Sequence, residues 1–215
     1  MFGIFTQIQG WIKIKGATTG TFIGNSGDSL FVTGKAAATP LLADPGLVVR
    51  PIPYQVQTYS ATITNLPSTA LASDIFTLTG SATKVVRISR VAFSGVQTTG
   101  SQINVICLRR STANTGGSIA SLAAIKMDTA NAAATATASG YTANPTVGTL
   151  VGNIRTRKVS VAAASGNSDE MILDFGTRNG QAVVLRGINE VFAINLNSVT
   201  VSGSAFNISI EWTEE

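Results

Sequence analysis

"AFNISIEWT", residues 205–213, decides how the rest of this chain is read. Phe206, Ile208, Ile210 and Trp212 alternate with Asn207, Ser209, Glu211 and Thr213. Successive side chains of a strand point to opposite faces. A period of two with one apolar and one polar phase therefore predicts a strand with one buried and one wet face. Phe192, Ile194 and Leu196 repeat the pattern just upstream. Working back toward the N-terminus, β-type runs bounded by Gly- and Asn-rich turns predict strands at 56–63, 75–79, 84–93, 103–109, 152–161, 171–175, 183–186, 191–197 and 205–212. In 84–93 the apolar phase slips, from Val86 and Ile88 to Val91 and Phe93, which predicts a β-bulge near Arg90. Eight or nine such strands predict an all-β fold, an antiparallel β-sandwich with jelly-roll-like topology.

Residues 111–151 stand apart, with Lys126 and Asp128 as their only charged side chains and an Ala/Thr/Asn-rich run at 129–144. They read as a long loop, and a loop of that length in a compact domain is functional or ordered by a neighbour. Its low charge suggests self-association, with a trimer favoured.

The N-terminal end has a different organisation. In 2–15, Phe2, Ile4, Ile8, Ile12 and Ile14 share one phase of an extended segment, with Phe5 and Trp11 interrupting the polar one. A lone strand of this kind pairs with another sheet. Next, "TGTFIG" and "DSLFVTG" flank "NSGD", whose Asn, Gly and Asp suit a hairpin turn. Pro40, Pro45, Pro51 and Pro53 then remove backbone donors and keep the chain extended. The expected domains are an N-terminal arm and hairpin at 1–34, a Pro-rich linker at 35–53 and the sandwich at 54–215. Phe2, Ile4, Phe5, Ile8, Trp11, Ile12, Ile14, Phe22 and Leu30 are the expected partner-binding residues, because large apolar side chains dominate such contacts.

Composition argues against catalysis. The 215 residues include no histidine, which removes Ser-His-Asp and Cys-His nucleophile systems and the commonest zinc ligand. "SATK", Ser81 to Lys84, has the spacing of a Ser-x-x-Lys acyl enzyme but leads into a strand instead of a helix. Asp169 and Glu170 are adjacent within the turn-like "SGNSDEM" and read as turn residues, not paired catalytic carboxylates. No metal, cofactor or enzymatic activity is expected. Cys107 lies in the apolar run "INVICL" and reads as a small buried hydrophobe.

The net charge of +4 is dispersed. The basic runs at Arg109–Arg110 and at Arg155, Arg157 and Lys158 lack aromatic residues beside them, so nucleic-acid binding is not expected. No membrane span is expected, since no run approaches ~20 apolar residues. Nor is there the charged start of a signal peptide. Synthesis in a cytoplasm is expected.

"GTFIGNSGDSLFV" at 20–32 resembles an element near the N-terminus of many structural proteins of tailed bacteriophages. "SDIFTLTGSATKVVRISRVAFSG", "RRSTANTGG", "YTANPTVGT", "VVLRGINEVFAINLN" and "FNISIEWTEE" are similar to segments of a family of phage virion proteins. The resemblance covers most of the chain. It implies a structural subunit that decorates and cements the outer surface of a capsid, contacting the major capsid protein or another virion subunit. Its alternative implication is a tail or head-fibre module that binds host-surface glycans, for which Tyr59 and Tyr141 are the aromatic platforms to consider.

Overall fold

The computed structural model describes residues 12–13, 22–26, 29–33, 56–67, 73–164, 166–176, 181–197, 201 and 203–215. The chain divides into two units, Met1–Arg50 and Pro51–Glu215. In the first, β1 (Ile12–Lys13), β2 (Phe22–Ser26) and β3 (Ser29–Thr33) form a three-stranded antiparallel sheet in that order.

The second unit is all-β, with no helix among the described residues. Its strands are β4 (Gln57–Leu66), β5 (Asp74–Thr79), β6 (Val85–Gln97), β7 (Ser101–Arg110), β8 (Ser118–Leu122), β9 (Ile125–Lys126), β10 (Thr137–Ala143), β11 (Leu150–Ala163), β12 (Met171–Asp174), β13 (Val183–Arg186), β14 (Val191–Asn195) and β15 (Ala205–Glu214). All nine stretches read from alternation are strands, with their ends shifted by up to four residues. They belong to one sheet in the order β8-β10-β5-β14-β7-β11-β6-β15-β4-β9, with β12 and β13 also on β6.

The sheet curls into a half-barrel around one large core, with Ile106, Leu108 and Ala193 forming a small separate cluster. Its two end strands are nearly consecutive in sequence, because only Ala123 and Ala124 separate β8 from β9. Two residues span little distance, so the sheet must bend until its ends meet. Gly140 on β10 marks the approach. A Cβ there would lie 2.8 Å from Ile63 Cδ1 on β4, so the small residue lets the two strands come together across the core.

Neighbouring strands run antiparallel with one exception. β11 meets β6 in parallel at Ala162↔Val96 and Ala163↔Gln97. The sheet is therefore mixed, where a wholly antiparallel one was expected. The reason lies in β6, which is too long for a single partner on its second edge. One edge belongs to β15 from Val86 to Val96. The other is divided among β13 at Val85–Ile88, β12 at Arg90–Phe93 and the tip of β11.

The bulge is where the phase slip places it. Glu211 pairs with Arg90 but Trp212 pairs with Ile88, leaving Ser89 as the extra residue. Ser89 Oγ donates to the Glu211 carbonyl at 3.1 Å. The extra residue puts Val86 and Ile88 in the same core as Val91 and Phe93.

Phe206, Ile208, Ile210 and Trp212 are all buried. Trp212 stacks on Tyr59 with centroids 5.8 Å apart, and Phe93 meets Phe206 at 5.0 Å. Cys107 lies among these residues, and burial pushes its thiol up to about 12, against the opposing pull of the Arg155 charge. It is no nucleophile at neutral pH.

The segment 111–151 is not the loop expected from its sequence. It contributes β8, β9, β10 and the start of β11, and so both ends of the sheet. Its strands lack large alternating apolar residues because the facing strands fill the space. The buried positions of β10 are Ala138, Gly140 and Tyr141.

Candidate partner-binding surface

The expected anchors are only partly described. Ile12 lies in β1, Phe22 in β2 and Leu30 in β3, with Ile12 opposite Ile23, Phe22 opposite Lys13 and Leu30 opposite Asn25. The sheet thus brings these three into one element. Phe2, Ile4, Phe5, Ile8, Trp11 and Ile14 lie outside the described residues.

In the second unit the exposed apolar side chains are concentrated. Eight large hydrophobics are exposed among the described residues. Six of them, Ile119, Ile125, Met127, Val147, Leu150 and Val151, fall within 111–151. The first two sit on β8 and β9, the terminal strands of the sheet. Such strands offer both apolar side chains and an unsatisfied backbone edge, the two ingredients of association.

The buried polar groups, in contrast, are already occupied by the fold. Arg110 donates from Nε and Nη2 to the two oxygens of Asp74, at 2.5 and 2.7 Å. Asn114 and Asn195 donate to the same carboxylate at 2.9 and 2.8 Å, and Arg110 Nη1 reaches the Gly148 carbonyl at 2.8 Å. This network ties β5, β7 and β14 to the 111–149 connection.

A second cluster surrounds Glu214, which continues the buried phase of β15. Its carboxylate accepts from Thr135 N and Oγ1, Ala136 N and Trp212 Nε1 at 2.7–3.0 Å. Lys84 Nζ stands 3.7 Å away and donates to Gln57 Oε1. Burial works to raise the Glu214 carboxyl, but these donors outweigh it and hold the group below its ordinary range. Parity was the signal: Glu214 lies in phase with Trp212, so a strand extended by two residues turns it inward. Burial and the neighbouring Glu214 charge raise the Tyr59 hydroxyl.

Ser81 Oγ accepts the Thr83 and Lys84 N–H groups at 3.1 Å each, which makes "SATK" the turn into β6. Asp169 binds backbone at the edge of β11. Among the described residues, one shallow cleft of about 210 Å³ lies beside Arg109 and Val183 and another of about 120 Å³ beside Ser94 and Asn207. Both fall below the ~300 Å³ of ordinary ligand pockets. Among the described residues, no group of three or more Cys, Asp or Glu side chains could hold a metal. No helix is long and apolar enough to cross a membrane.

Tyr59 and Tyr141 are 0% and 6% exposed, so neither forms the aromatic platform considered for glycans. The Tyr59 ring fills the core instead, and its hydroxyl is used on Gln57 and the Ala132 carbonyl, both at 3.0 Å. No protein-family profile, curated protein or solved structure matches the chain.

Proposed function

We propose that this chain is a structural subunit of a tailed-phage particle, which decorates the capsid and stabilises it by bridging neighbouring subunits. In this reading the curled sheet acts as a jelly-roll-like sandwich displayed on the outer shell, and residues 1–34 reach a neighbour. The observation that carries the reading is the concentration of exposed apolar residues in 111–151, among them Ile119 and Ile125 on the two terminal strands of the sheet. Large apolar groups at open strands are costly in a monomer and favourable in an assembly. The resemblance of the chain's segments to virion proteins supplies the setting.

Self-association is part of the reading, with a trimer favoured because capsids offer local threefold positions. Sedimentation of the full chain at micromolar concentration tests it. A trimer that Ile125→Lys dissociates is the expected result. A strict monomer would remove homo-oligomerisation and leave these residues for contact with another subunit. A subunit count in purified particles tests the setting. Hundreds of copies fit a shell protein; a few to some tens fit a tail or vertex component.

A further inference from the structure

β11 is paired on one side along nearly its whole length, from Leu150↔Arg110 to Val161↔Ser101 on β7. On its other side, among the described residues, it meets another strand only at Ala162 and Ala163. The chain itself closes the next stretch of this edge. Asp169 N–H donates to the Ser160 carbonyl at 2.9 Å, and Ser160 N–H donates to Asp169 Oδ2 at 3.0 Å. Ala162 N–H likewise donates to Ser168 Oγ at 2.9 Å.

Those contacts fix the direction of the ladder. In an antiparallel pair, residues alternate between bonding inward to the partner and pointing both backbone groups away from it. Ser160 points away from β7, so Lys158 and Thr156, two and four residues earlier, do the same. Beyond Glu170, Met171–Asp174 pair with β6. Two N–H and two C=O groups are thereby presented ~7 Å apart, the repeat of an added strand.

The side chains agree. Arg155, Thr156, Arg157 and Lys158 are all exposed, although two of them must lie on each face of the sheet. Four consecutive exposed residues on both faces mark a strand uncovered on its flank.

The geometry points to the outer edge of β11 at Thr156–Lys158 as a docking site for an extended, acidic segment of a partner protein, added as a strand. The chain's own Ser168–Asp169 shows the kind of occupant that fits, since a short extended stretch with a carboxylate already holds the adjoining positions. Arg155, Arg157 and Lys158 supply positive charge on both faces of the edge, with the Arg155 guanidinium 5.8 Å from the Phe175 ring centroid and the Asp169 carboxylate on the adjoining positions. An incoming strand with Asp or Glu at alternate positions would meet them while its backbone completes the ladder. The N-terminal stretch of a second copy fits poorly, because "QIQGWIKIK" carries Lys13 and Lys15 and no carboxylate. The inference holds whether or not the chain belongs to a virion.

Amide hydrogen exchange on the full chain tests it, with a capped eight-residue peptide of alternating Glu and Val as the probe. Expected results are a slowing of exchange at Thr156 and Lys158 of tenfold or more at saturation, loss of that effect in high salt, and no effect from the Lys-Val counterpart. Thr156→Pro removes an outward N–H, which an edge strand tolerates. It should keep the melting temperature and abolish protection. Arg157→Glu with Lys158→Glu should reverse the preference toward the Lys-Val peptide. Unchanged exchange at both amides would overturn the proposal. So would equal protection by the basic peptide, or by single-stranded oligothymidylate, which would make the edge a nucleic-acid contact.

Discussion

At the residue scale, Trp212 and Glu214 act as a pair. The indole is fully buried, stacks on Tyr59 and donates Nε1–H to Glu214 at 3.0 Å. Trp212→Ala is expected to cost about 3–5 kcal/mol, from lost burial and the cavity left behind. Denaturant midpoints at neutral pH measure it, and an unchanged midpoint would contradict the packing. Glu214 also makes stability depend on acid. Its carboxyl is held below the ordinary range in the folded chain, so its contribution is complete above the unfolded value of about 4.3. The contribution is lost as pH falls through the lower folded value. Glu214→Gln should lower stability at neutral pH and flatten the fall on the acid side. Parallel denaturation series for the two proteins check the slope.

At the scale of elements, the β6–β15 pairing leaves no room at Gly95. Gly95 lies opposite Phe206, and a Cβ there would come within 2.6 Å of the Ala205 carbonyl oxygen and 2.9 Å of Phe206 Cα. Backbone atoms cannot yield as a flexible side chain can. Gly95→Ala is therefore expected to cost about 1–3 kcal/mol by overpacking, read as a lowered denaturation midpoint. Gly140→Ala should cost less, because the nearest atom is the movable end of Ile63. The same contrast explains which elements were legible in the sequence. β15 and β14 carry large apolar residues in alternation and were evident. β8, β9 and β10 were not, because β10 is mostly Ser, Ala, Gly and Thr, β9 is two residues long, and Ile119 and Leu122 of β8 fall in opposite phases.

At the scale of the whole molecule, the second unit carries its own core. Deleting residues 2–34 should therefore leave the melting temperature nearly unchanged. Under the proposed function it should also abolish binding to particles, measured by co-sedimentation. Truncated protein that unfolds or aggregates would show that the arm completes the fold. A truncation that melts normally and still occupies particles would remove the arm from attachment.

Alternation and turn chemistry in the sequence alone determined the all-β class, nine of the strands, the bulge beside Arg90 and the inward face of β15. These are local properties, set by the two-residue period of the backbone and by what the neighbouring side chains can bury. Only the tertiary structure decided that 111–151 supplies both ends of the sheet, that β11 meets β6 in parallel, and that Tyr59 and Tyr141 are buried. It also decided that Asp74 and Glu214 are buried with full sets of partners. Each of these depends on which distant strand lies alongside. Partner choice is settled by the summed packing of the curled sheet, and no short stretch of sequence holds that information.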